Sequence, residues 1–149
     1  MYIFIIIIGI IIDRVTKLLA ISKLNGEESI AIIKNFFSFE YVENEGAAFG
    51  ILQGRQYILS AMAAIMVIAI IFYLIKYKPS SKLLKLSLSM VISGAIGNLI
   101  DRLYYNYVVD FISFHYKDLY YFPNFNVADI LVVVGTFLLV FYIIKDVKE

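Results

Sequence analysis

Cysteine and tryptophan are absent from this sequence, histidine occurs once and proline twice. Without cysteine there are no disulfides, no thiolate metal site and no cysteine nucleophile. The lone His115 cannot build a multi-histidine zinc centre within one chain, and no HExxH motif occurs. No metal or cofactor is expected. Charge is also scarce: 17% of the 149 residues are charged and the net charge is +1. No basic tract alternates with aromatics, so nothing argues for a nucleic-acid partner. What fills the chain is apolar, at 62% hydrophobic residues with a mean hydropathy of +0.85. That balance argues against a water-soluble globule, and the length suits a single domain, 1–149. With no tryptophan, an aromatic belt at a membrane surface must come from the 12 Tyr and 12 Phe.

The apolar residues fall into four runs, at about 1–21, 57–75, 83–100 and 127–144. Each is long enough to cross a hydrocarbon core as a helix of roughly 20 residues. The first lacks the basic start and small-residue cleavage site of a signal peptide, and it is interrupted by Asp13, Arg14 and Lys17. The third holds Ser93, Gly94, Ala95 and Gly97, which permit close helix packing. The connection between the second and third runs carries Lys76, Lys78, Lys82 and Lys85 with no acid. The positive-inside rule places it in the cytoplasm, and four spans then put both termini there. The connections at 22–56 and 101–126 face outward. At ~1.5 Å per residue, Asp13 lies ~18 Å into the first helix, in its outer half.

In "NFFSFEYVENEGAAFG", Phe37, Phe39 and Tyr41 alternate with Ser38, Glu40 and Val42. This is the pattern of a strand with one apolar face. Gly46, followed by Ala47 and Ala48, marks a tight turn or a close backbone approach. The expected architecture is an all-α membrane protein, four transmembrane helices with a small β-rich extracytoplasmic cap. No internal repeat or low-complexity linker divides it.

Six acidic or basic side chains near the expected outer face draw attention. Asp13 and Lys17 are four apart and pair on one helix face; an ion pair that steadies packing is the favoured reading. Asp101 and Arg102 close the third run, where a structural pair at the interface is again the favoured reading of Asp101. Arg102 could instead use its planar donor fork to hold a substrate carbonyl or an anion. Asp110 and Asp129 have no basic residue within three positions. Antiparallel helices would bring them together, and two carboxylates in one site separate their proton affinities. One then takes a proton from water while the other polarises a carbonyl. Both could equally be acids that merely terminate helices or turns. A membrane-embedded serine protease fits poorly, since "SGAIG" has no histidine on a span to activate it. A small proton-coupled transporter using Asp129 and a non-catalytic assembly factor remain open.

Five motifs in order, "DRVTK" at 13–17, "NEGAAFG" at 44–50, "GNLIDR" at 97–102, "VVDF" at 108–111 and "FNVAD" at 125–129, cover nearly the whole chain. Together they resemble the bacterial lipoprotein signal peptidases, or signal peptidase II. The resemblance implies an aspartic endopeptidase in the bacterial cytoplasmic membrane, with its site near the outer face. Its partners would be membrane lipid and diacylglyceryl-modified prolipoproteins, cut just before the lipidated cysteine, and it would act as a monomer. Carried over by motif, Asp110 and Asp129 are the catalytic pair. Asn44, Gly46, Asn98, Arg102, Asn126 and Ala128 line the site, and Asp13, Lys17 and Asp101 are structural.

Overall fold

The computed structural model describes residues 2–46, 52–117 and 119–146. The expected turn at Ala47 and Ala48 lies outside them. Four long helices, α1 (Tyr2–Leu24), α2 (Gln56–Tyr77), α3 (Lys82–Tyr105) and α4 (Val127–Asp146), are joined to a small sheet. Its strands are β1 (Ile30–Ile33), β2 (Phe37–Asn44), β3 (Val108–Tyr116) and β4 (Tyr120–Tyr121). Among the described residues, three helical stretches, in α2, α3 and Val127–Lys145 of α4, are long and apolar enough to cross a bilayer. The fourth helix, α1, carries Asp13, Arg14 and Lys17 within an otherwise apolar run.

The helices end where the local chemistry allows. Ser81 caps α3 by accepting from the Leu84 N–H at 3.3 Å, which satisfies one of the unpaired donors of a helix start. Asn106 closes α3 in the left-handed region, φ 63°, donating its N–H to the Arg102 carbonyl; asparagine tolerates that conformation better than most residues. The helix therefore runs five residues past the apolar stretch ending at 100. Asp101 and Arg102 lie inside it rather than at its end.

The central helix is α3, which packs on α1, α2 and α4 and buries twelve residues along its length. Its small residues make this possible. A Cβ on Gly94 would meet the Ala128 carbonyl oxygen at 2.2 Å, and one on Gly97 would meet Asp13 Oδ2 at 2.5 Å. Backbones at this spacing leave no room for alanine. By contrast α1, α2 and α4 leave large apolar side chains exposed, among them Phe4, Ile65 and Phe137, as suits helix faces directed at lipid.

The sheet is antiparallel in the order β1-β2-β3-β4. Its alternation is not the simple one read from the sequence. Phe37 and Phe39 do share a face, opposite Phe114 and Ile112, but the register shifts between Phe39 and Val42. Beyond the shift Val42 pairs with Asp110 and Asn44 with Val108. The irregularity thus turns Asn44 onto the face of Asp110; an unbroken alternation from Phe39 would have put it on the other, and such re-aiming is what bulges do. Ser38, on the expected polar face, is buried against Ser113. An isolated bridge between Ile112 and Phe125 fastens the start of α4 to β3. Phe111 and Ile112 both donate N–H to the Phe125 carbonyl, at 3.1 and 2.9 Å.

Candidate active site

The α4 start is built by a reciprocal cap. The Asp129 N–H donates to Asn126 Oδ1 at 3.0 Å, and the Asn126 N–H donates to Asp129 Oδ2 at 3.1 Å. This is the capping-box logic of a helix N-terminus, with Asp in the place of Glu. The N-x-x-D spacing at 126–129 was a legible signal for it. A further helix-start donor, the Ala128 N–H, reaches Asp13 Oδ1 on α1 at 2.9 Å. Asp13 therefore fastens α4 to α1, beyond pairing with Lys17.

Because the Phe125 bridge holds α4 against β3, Asn126 also faces Asp110. Its Nδ2 donates to Asp110 Oδ1 at 2.7 Å, while Asn44 Nδ2 on β2 donates to Asp110 Oδ2 at 2.8 Å. Asn98 Nδ2 on α3 donates to Asp129 Oδ1 at 2.7 Å. Among the described residues, each of the four carboxylate oxygens thus takes one neutral N–H donor.

None of the three amides is free to turn over. Asn44 Oδ1 already accepts from the Gly46 N–H at 2.9 Å, Asn126 Oδ1 from the Asp129 N–H, and Asn98 Oδ1 from Lys17 Nζ at 2.9 Å. Their carbonyl ends are committed to fixed donors, so only N–H groups face the acids. Arg102 Nη2 donates to the Gly46 carbonyl at 3.2 Å and lies in the field of both Asp110 and Asp129. Asp110 and Asn126 are almost fully buried, Ala128 is wholly buried, and Asp129 is partly open. Burial, followed by the nearby charge of Asp129, pushes the Asp110 carboxyl up to about 7.

The remaining charges form a separate cluster. Lys17 Nζ lies 3.0 Å from Asp13 Oδ2 and 2.8 Å from Asp101 Oδ2. Asp101 Oδ1 pairs with Arg14, and Asp101 Oδ2 accepts the Val109 N–H at 3.2 Å. The expected neighbour pairing of Asp101 with Arg102 is therefore not the one formed, because adjacent helical residues point to different sides. Sequence reading gave Arg14 no role, having looked for partners along one helix rather than across two. His115, on β3, stacks on Tyr121 at 5.2 Å between ring centroids, remote from this chemistry in the hydrogen-bond network.

Apolar helices capped by a small sheet, with buried carboxylates where the two meet, are shared with solved structures described as bacterial membrane enzymes. One such enzyme, solved by the in meso method at 2.3 Å resolution, superposes with a TM-score of 0.86 at 31% identity, over 98% of this chain and 88% of the other. A second, at 1.9 Å resolution, gives 0.84 at 32% identity, over 97% and 93%. Residues 5–145 match the family described as signal peptidase (SPase) II. The lipoprotein signal peptidase of Clostridium tetani is 58% identical over 98% of this chain and 94% of its own length. That of Clostridium novyi is 53% identical over 99% and 100%. This chain belongs to the signal peptidase II family.

Proposed function

We propose that this protein is an intramembrane aspartic endopeptidase that removes the signal peptide from diacylglyceryl-modified prolipoproteins. The cut falls just before the lipidated cysteine, and Asp110 and Asp129 are the catalytic pair. The observation that carries this reading is the set of locked amides: among the described residues, both acids are hydrogen-bonded by neutral N–H donors, which position a carboxylate without tying it up in an ion pair. Arg102 and Lys17 are cations in their field, and they favour a pair that carries one negative charge and one proton.

In that state the ionised acid takes a proton from water, whose oxygen adds to the peptide carbonyl carbon. The protonated acid gives its proton to the carbonyl oxygen. The tetrahedral diol then collapses: the C–N bond breaks, one hydroxyl proton returns to a carboxylate, and the other carboxyl protonates the leaving amine. The pair ends as it began, with one proton. Asn44, Gly46, Asn98, Arg102, Asn126 and Ala128 hold the pair and the extended substrate, and no cofactor takes part. The partly open Asp129 supplies the side from which substrate enters.

The chain acts as one integral-membrane domain and as a monomer. All four helices span the bacterial cytoplasmic membrane in this reading, with α1 made tolerable by the matching of its charges to Asp101 on α3. Both termini lie in the cytoplasm with the lysines between α2 and α3, and the sheet lies outside. In a chain without native cysteine, a cysteine replacing the exposed Ser80 should be labelled only from the cytoplasm and one replacing the exposed Glu28 only from outside. Ser38, being buried, would report poorly. The opposite labelling would place the site on the wrong face.

The decisive experiment offers the purified protein a diacylglyceryl-modified prolipoprotein in lipid, beside the same precursor without the diacylglyceryl group. Cleavage before the cysteine in the modified precursor alone is expected. An intact modified precursor in lipid that supports folding would overturn the assignment.

A further inference from the structure

Lys17 has a place in this molecule that ion pairing alone does not require. Its hydrogen bond to Asn98 Oδ1, at 2.9 Å, occupies the carbonyl end of the amide that faces Asp129. The other donor to that oxygen, Asn126 Nδ2, is at the longer distance of 3.2 Å. Remove Lys17, and an amide turned end over end would present its oxygen to the Asp129 carboxylate, exchanging attraction for repulsion. The orientation of a buried amide is set by its partners.

Lys17 is itself held in place. Asp101 Oδ2 contacts it at 2.8 Å and also accepts the N–H of Val109, the residue before Asp110. The second oxygen of Asp101 is bound by Arg14, whose guanidinium lies 6.0 Å from the centre of the Tyr105 ring and whose side chain is 22% exposed. From the edge of the protein inward, the contacts run Arg14, Asp101, then Lys17–Asn98–Asp129 on one branch and Val109–Asp110 on the other.

We propose that Arg14, Asp101 and Lys17 are positioning residues for the reaction, setting the Asn98 amide against Asp129 and the start of β3 beside Asp110. This rests on the catalytic reading of the two acids and adds a duty to residues assigned to packing, and a role to Arg14, which had none. The charged groups around Lys17 are Asp13 from α1 and Asp101 from α3, with Asp110 from β3 and Asp129 from α4 beyond Asn98. Its positive charge favours ionised Asp110, so loss of that charge has a titration signature.

The test measures cleavage of a diacylglyceryl-modified prolipoprotein per folded molecule, as kcat, KM and a pH profile, for Lys17→Met, Lys17→Gln and Arg14→Leu. A small misplacement of catalytic groups is expected to lower kcat about a hundredfold in Lys17→Met and Arg14→Leu, with KM unchanged. Lys17→Gln, which restores an N–H donor for Asn98 without the charge, should recover much of kcat. Both Lys17 variants should move the acid limb of the profile to higher pH, and Arg14→Leu should leave it in place. Wild-type kcat and pH profile in the folded fraction of these variants would overturn the inference while leaving the catalytic pair intact. Should Lys17→Met fail to fold, Arg14→Leu at the partly exposed end decides, and an unchanged kcat there overturns it. Cleavage surviving in Asp110→Asn would overturn the parent reading and this inference with it.

Discussion

Two clusters of buried acids lie within a few side chains of each other and are solved in opposite ways. In the α1–α3 cluster, Asp13 and Asp101 are matched by Lys17 and Arg14, so two negative charges meet two positive ones. At the β3–α4 junction, Asp110 and Asp129 are met by amides and a backbone N–H. Ion pairing holds a carboxylate in its charged form, whereas neutral donors leave it able to gain or lose a proton. In the proposed reading, one buried residue type serves as fastening in one place and as reagent in another. What separates them most sharply is the charge of the partner.

The strongest way to break the comparison is to remove a carboxylate from each cluster. Asp110→Asn and Asp129→Asn should each lower cleavage by about 10²–10⁴-fold or more, since an amide neither accepts the water proton nor donates an acidic one. The double variant should be hardly worse than either single, because groups acting as one unit are non-additive. Substantial turnover by a folded single variant would remove that acid from the chemistry.

In the ion-paired cluster the effect should fall on the fold instead. Asp13→Asn leaves Lys17 short of one counter-charge, and breaking a buried pair costs about 3–5 kcal/mol. The amide oxygen can still accept the Ala128 N–H, so turnover per folded molecule should change far less than the thermal midpoint in detergent. A stable but inactive Asp13→Asn protein would place Asp13 among the reacting groups.

A subtler prediction sharpens the contrast by pH. The Asp110 carboxyl is raised from 3.8 to about 7, so the folded state holds its proton where the unfolded chain has lost it. The fold carries no such penalty below the ordinary value. Stability should then decline as pH rises through this window, and level off above about 7. The slope is on the order of 1 kcal/mol for each pH unit. Thermal unfolding of wild type against Asp110→Asn should show the wild type losing ground as pH rises from the ordinary value of 3.8 to about 7, the window that the shift defines. Parallel curves would mean that Asp110 is not held in a raised state.

Much of this was legible in the sequence, for reasons particular residues make plain. Apolar runs announce helices because their length matches a bilayer, and the small residues at 93–97 announce where α3 meets its neighbours closely. The motifs announced which side chains converge. Three features were hidden because they depend on contacts across elements. The pairing of Asp101 with Arg14 and Lys17 arises from the packing of α1 on α3, so a neighbour such as Arg102 was the wrong guide. The register shift after Phe39 depends on how β2 meets β3, and it decides whether Asn44 faces Asp110 at all. The continuation of α3 to Tyr105 rests on a cap at Asn106 rather than on hydropathy.

The reciprocal bond between Asn126 and Asp129 ties reactivity to architecture in a further sense. The oxygen that accepts the Asn126 N–H belongs to the same carboxyl whose charge the proposed reaction changes, and that bond begins the last helix. A proton arriving at Asp129 therefore weakens a seam of the fold at the moment it alters the chemistry. An inhibitor that settles there meets a mounting and a tool in one group, and its binding should be felt along α4 as tightened amide-hydrogen exchange at the first turn.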